Sequence, residues 1–232
     1  QADRRRSVRL QARKQQLQNT STMGLTLHYF GKLTSPARIP ELIDEVTDIC
    51  ESAGWEYKTF DHILEGVPDD YLKLIDDNAS EFRARGVSFQ AHKKAETTML
   101  CFGPDGRTLS PMALFRPDLT DWSDDMLAHY SFTKTQFAGA EGHVVLCKIL
   151  KYLFGKYFSE FEVNDEGEYF HTEDRTLLGE RFGDYDEAFS KVSVALAGAK
   201  LEKATTIPEL MAMLREALPD AEIRLVSDEE EE

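Results

Sequence analysis

HYSFTKTQF (129–137), AGAEGH (138–143), VVLCKILKYLFGKYF (144–158), SEFEV (159–163) and NDEGEYFHTED (164–174) follow one another without a break. Their patterns read as strand, glycine-containing turn, long amphipathic helix, strand and acidic loop. In the helix, Leu146, Ile149, Leu150, Leu153, Phe154 and Tyr157 recur at the spacing of one apolar stripe on a 3.6-residue period. Lys148, Lys151 and Lys156 interrupt the run, so the pattern is that of a helix covering a sheet and excludes a membrane span. Met126, Ala128, Tyr130 and Phe132 share one parity before it, and Phe161 and Val163 share one after it, which predicts half-buried strands.

Strand, helix and strand in that order predict a crossover with the two strands parallel in one sheet and their C-terminal ends on one edge. That edge would gather Lys134, Thr135, Gln136, Gly139, Gly142, His143, Asn164, Asp165 and Glu166. Ligands of open α/β sheets favour such an edge, so residues 134–143 and 164–174 form the expected site. Parity places Lys134 on the face of Phe132 and Asp165 on the face of Val163. The two are therefore expected to meet, as a structural ion pair or as a lysine whose acidity Asp165 tunes.

The stretches on either side extend the pattern to an α+β fold. Leu25, Leu27 and Tyr29 alternate as in a strand, with His28 on the opposite side as a surface or second-layer residue. Ser35 and Pro36 open a helix with a stripe at Ile39, Leu42, Ile43, Val46, Ile49, Cys50 and Ala53, and Gly54 ends it. WEYKTFD (55–61) then completes a second strand-helix-strand unit. Residues 69–85 read as a helix stopped by Gly86. VSFQAH (87–92), TTMLCF (97–102) and RTLSPMALF (107–115) read as strands, the last two joined by the turn GPDG, whose glycine supplies positive φ. Trp122 reads as a cap over the core. The expected architecture is a mixed sheet: two strand-helix-strand units flank an antiparallel hairpin region, and C-terminal helices pack on the sheet. Those helices are the stripe from Tyr185 to Ala199 and one opened by a capping box at 206–209, followed by the short strand EIRLV. IPEL occurs twice, at 39–42 and 207–210, too short a match to indicate a duplication.

The chain has 232 residues and 41% hydrophobic content, enough for one globular domain over 23–226. Residues 1–22 carry six Arg or Lys against one Asp, a net of +5, and read as a disordered basic arm or a remnant preceding a natural start at Met23. They lack the apolar core of a secretory signal. Residues 227–232 read as an acidic tail. The net charge is −15 overall, which leaves −20 beyond the arm, a field that repels phosphate backbones and excludes nucleic acid as the folded part's partner. Cys50, Cys101 and Cys147 are odd in number and far apart, as free thiols of a cytoplasmic protein are.

Chemistry-bearing residues are few. Asp165, Glu166 and His171 lie in the acidic stretch 161–174, and oxygen ligands at short spacing with a histidine suit a divalent metal, with His143 as a further ligand for a transition ion. AGAEGH lacks both the phosphate-loop and the dinucleotide signatures, so its glycines read as a tight turn. His143 and Cys147, four apart on one helix, read as packing residues. Two functions follow as expectations. The first is an acidic interaction or regulatory module that binds a basic protein partner. The alternative is a metal-assisted enzyme acting on a small anionic substrate, with Lys134, His143 and Asp165 as its catalytic groups.

Overall fold

In the computed structural model, the described residues are 25–75, 80–198 and Ala212. The chain divides into two compact units, one ending at Phe182 and the other running from Gly183. The first unit is built on two three-stranded sheets. β1 (Thr26–Leu33) is the centre of the first sheet, between β5 (Ser131–Lys134) and β6 (Phe158–Asp165), and is antiparallel to both. In the second, β3 (Phe82–Phe89) lies between β2 (Tyr57–Leu64) and β4 (Thr98–Phe102), again antiparallel. The α+β class is therefore correct, but its strands form two antiparallel sheets in place of one mixed sheet.

The expected crossover is present in a modified form. β5, α5 (Gly139–Tyr157) and β6 follow in order, and β5 and β6 run parallel because each is antiparallel to the β1 strand between them. Their C-terminal ends share an edge, where Thr26 pairs with Lys134 and Leu27 with Asp165. The first strand-helix-strand order is also present, but α1 (Ile39–Ala53) carries the chain from one sheet to the other. A 3₁₀ turn at Pro36–Arg38, capped by the Ser35 side chain on the Ala37 N–H, precedes α1. Gly54 ends α1 at φ 68°, a left-handed conformation that costs glycine nothing.

Leu27 and Tyr29 turn inward from β1, and Leu42, Val46 and Cys50 from α1, while Leu146, Leu150, Leu153 and Phe154 fill the inner side of α5. Phe154 is the hub of an aromatic cluster with Tyr29, Phe158, Phe161 and Phe170. A second cluster lies beside β3 and β4: Tyr71, from α2 (Asp69–Ile75), packs with Phe82, Leu109, Ala113 and Trp122. Trp122 caps it as expected, donating its indole N–H to the Pro117 carbonyl at 3.0 Å.

Three local expectations are corrected. Among the described residues the helix predicted over 69–85 spans Asp69–Ile75, and Phe82 and Arg85 belong to β3. Gly86 is no helix stop but a mid-strand close approach, since a Cβ there would lie 2.2 Å from the Leu100 carbonyl oxygen. The strand predicted from Met126 begins only at Ser131, because Asp125–His129 forms the short helix α4. After the GPDG turn, where Gly106 has φ 77°, the return strand is reduced to the bridges Lys32↔Arg107 and Phe102↔Thr108. Ser110 then caps α3 (Pro111–Phe115) by accepting from the Ala113 N–H at 3.0 Å.

Beyond the acidic loop lie the short α6 (Tyr169–Thr172) and the long α7 (Arg175–Gly198), which begins ten residues before the stripe that predicted it. The basic arm, Met23, the capping box at 206–209, EIRLV and the acidic tail fall outside the described residues. No helix of the described residues is long and apolar enough to cross a membrane.

Candidate functional site

The shared edge of β5 and β6 gathers a closed polar network built from three elements. Thr135 follows β5, where its N–H and its hydroxyl both reach the Leu25 carbonyl, at 2.8 and 3.2 Å. α5 then opens at Gly139, whose φ of 72° makes the tight turn expected of these glycines. His143 and Cys147, one turn apart, project from its inner side. Asp165 ends β6 on the same side as Val163, as parity predicts.

The His143 ring bridges the other two elements. Nδ1 lies 2.7 Å from the Thr135 hydroxyl and Nε2 lies 3.0 and 3.2 Å from the two Asp165 oxygens. A carboxylate only accepts, so Nε2 carries a proton toward it. With a neutral ring, Thr135 donates to Nδ1; with a charged ring, Nδ1 donates to Thr135, whose proton turns to the Leu25 carbonyl. Asp165 also accepts from the N–H groups of Gly167 and Phe170, each at 2.7 Å, and from the Cys147 thiol at 3.8 Å. Burial alone would raise its carboxyl, but the His143 ring and the two N–H groups outweigh that and hold it below the usual carboxylate range. Burial, with the adjacent carboxylate, pushes the Cys147 thiol well above the usual range. The side chains of His143 and Asp165 are both 0% exposed.

The structure does not bring Lys134 to this network. In β5 it is Ser131 and Thr133 that face inward, while Phe132 and Lys134 are exposed. The reason lies in the neighbouring sheet: the Ser131 and Thr133 hydroxyls bond the Met99 carbonyl and Thr98 of β4, so the buried side of β5 is polar. Phe132 instead lies beside His28 on the outer face, with the ring centroids 6.2 Å apart. The expected Lys134–Asp165 pair is thus replaced by His143–Asp165.

The expected metal set is likewise dispersed. Successive residues at a strand end face opposite ways, and Glu166 turns back to accept from the Thr26 N–H at 2.8 Å. His171 bonds the Val163 carbonyl at 3.0 Å. Glu168 pairs with Arg181, Glu173 with Lys151, and Asp174 caps the start of α7. Among the described residues, one set of three potential ligands has donor atoms within 4.8 Å of one another: His143, Cys147 and Asp165.

No family model, curated protein or solved structure matches the chain.

The surface offers a groove of about 670 Å³ between α1 and the end of α5. Glu41, Asp44, Glu45 and Asp48 line it, with Ile49 and Ala53 as apolar contacts and Lys156 and Tyr157 on the α5 side. Glu41 is held by Arg38 through two bonds of 2.9 Å. Burial opposes the charge on Glu45, but Lys156 at 2.6 Å and the hydroxyls of Tyr152 and Tyr157 outweigh it and hold the carboxyl down at about 2. Burial and that same carboxylate push the Tyr157 hydroxyl up to about 12. The carboxylates of Asp44 and Asp48, four residues apart on the exposed side of α1, make no hydrogen bond or ion pair with the described residues.

Proposed function

We propose that the chain is a protein-interaction module that receives a basic segment of a partner protein in the groove of α1. The observation that carries this reading is the row Glu41, Asp44, Glu45 and Asp48 beside an apolar contact surface, with Asp44 and Asp48 making no ion pair among the described residues. A Lys or Arg chain laid along that row would find its charge met by carboxylates and its methylene stem met by Ile49 and Ala53. The net charge of −15 adds a long-range field that speeds the encounter with such a partner and makes it salt-sensitive. The buried thiols of Cys50, Cys101 and Cys147 support a reducing compartment, the cytoplasm. The enzyme alternative gains nothing from the placement of its residues, since Lys134 lies on the outer face and His143 and Asp165 are enclosed.

The test is fluorescence anisotropy with a labelled oligo-arginine peptide. Asp44→Asn combined with Asp48→Asn should weaken binding about fivefold, the equivalent of about 1 kcal/mol for two exposed charges. The pair Glu81→Gln and Glu160→Gln removes the same charge elsewhere and should change it far less. Equal weakening by both pairs would mean that net charge alone attracts the peptide, and the groove would lose its role.

A further inference from the structure

The network at the end of β5 and β6 contains a donor set that the interaction reading does not use. His143 offers an imidazole nitrogen, Cys147 a sulfur and Asp165 a carboxylate oxygen, all buried and all mutually within 4.8 Å. We infer that His143, Cys147 and Asp165 bind one divalent transition ion, and that Zn²⁺ is the ion this nitrogen, sulfur and oxygen set suits best.

The placement argues for it in three ways. The first two donors sit four residues apart on one helix, and both point at the third, Asp165, at the end of the adjoining strand. Each of the two stiffer donors already has an orienting partner of the kind metal ligands use. The Thr135 hydroxyl at 2.7 Å from Nδ1 turns Nε2 toward the site, and the Gly167 and Phe170 N–H groups fix the carboxylate. Charge balance then favours a doubly charged ion, because one thiolate and one carboxylate neutralise it in a region closed to water, where any net charge is costly.

Gly167 allows the loop to close over the site. A Cβ there would lie 2.8 Å from His143 Nε2 and 2.8 Å from a Leu178 methyl carbon, so only glycine lets the backbone pass so near the ligand nitrogen. Three protein donors leave one tetrahedral position, which a single water enclosed together with the ion would fill. Binding to the neutral ring moves its proton from Nε2 to Nδ1, where it is donated to the Thr135 hydroxyl, and releases one proton, from the Cys147 sulfur, so affinity falls as pH is lowered. The site differs from an oxygen-rich Mg²⁺ or Ca²⁺ loop in both donor type and burial.

The experiment is to treat the full chain with chelator, dialyse it against Zn²⁺ or Co²⁺, remove loose metal by gel filtration and measure metal content and absorption. The wild type should retain one equivalent of Zn²⁺ per chain, and its Co²⁺ form should show a thiolate-to-cobalt charge-transfer band. Cys147→Ala, which deletes only a buried thiol, should abolish the band and retain little metal. Thr135→Val touches no donor atom and should weaken Zn²⁺ binding about 10- to 100-fold. Should His143→Gln fail to fold, Cys147→Ala still decides the matter. A folded wild type that retains no Zn²⁺, or a Cys147→Ala variant that retains as much as the wild type, overturns the site.

Discussion

Asp165 is a buried carboxylate whose place depends on several donors at once. Its two oxygens receive the His143 ring and two backbone N–H groups in a fully enclosed setting. Asp165→Asn keeps the shape but turns an NH₂ toward one of those donors, and an unsatisfied buried donor is expensive. The expected cost is about 2–4 kcal/mol, read as a shift in the urea midpoint at unchanged slope. Glu45 supplies a different prediction, in pH. Its folded carboxyl is held at about 2 against an ordinary 4.5. The depressed value means that its stabilisation is fully present above the ordinary value and is lost as pH falls toward about 2. Glu45→Gln should therefore lower stability at neutral pH and flatten its decline between those two values, as thermal melts across that range would show.

Elements place their own constraints on sequence. β3 crosses β4 so closely at Gly86 that an alanine Cβ would stand 2.2 Å from the Leu100 carbonyl oxygen and 2.8 Å from the Cys101 Cα. Both are backbone atoms of a paired strand, which cannot swing aside. Gly86→Ala should destabilise the fold by more than about 3 kcal/mol, at the upper end of overpacking costs, and chemical denaturation measures it. Ser110 acts at the opposite kind of position, a helix start, where its oxygen accepts from the Ala113 N–H and donates to the Leu127 carbonyl. Ser110→Ala should cost about 1–2 kcal/mol by the same measurement, because it removes a cap and leaves a carbonyl without its partner.

On the scale of the whole molecule the dominant quantity is charge. A chain beginning at Met23 would lose the +5 of residues 1–22 and carry −20 in place of −15. Its association with oligo-arginine should be faster than that of the longer chain at low ionic strength. Stopped-flow anisotropy should show the advantage vanishing as salt shortens the Debye length to a few ångströms, about 3 Å at 1 M.

Local periodicity was enough to establish the inward face of β1 at Leu27 and Tyr29, the stripes of α1 and α5, the turn at Gly106, the inward setting of Asp165 and the α+β class. Those features depend on neighbours within a turn or a pleat, where the side-chain period and the φ of glycine act directly. Tertiary structure alone decided that Phe82 joins a strand, that the strands divide between two sheets, and that Ser131 and Thr133, not Phe132, are buried. Parity in a sequence separates two faces but does not say which one is covered, and hydroxyls bonded to the Met99 carbonyl and the Thr98 side chain of β4 reverse the hydrophobic rule. For the same reason His143, placed by a helix, reached Asp165 where Lys134 did not. Their meeting depends on strand pairings more than a hundred residues apart in sequence, between β1 and β5 and between β1 and β6.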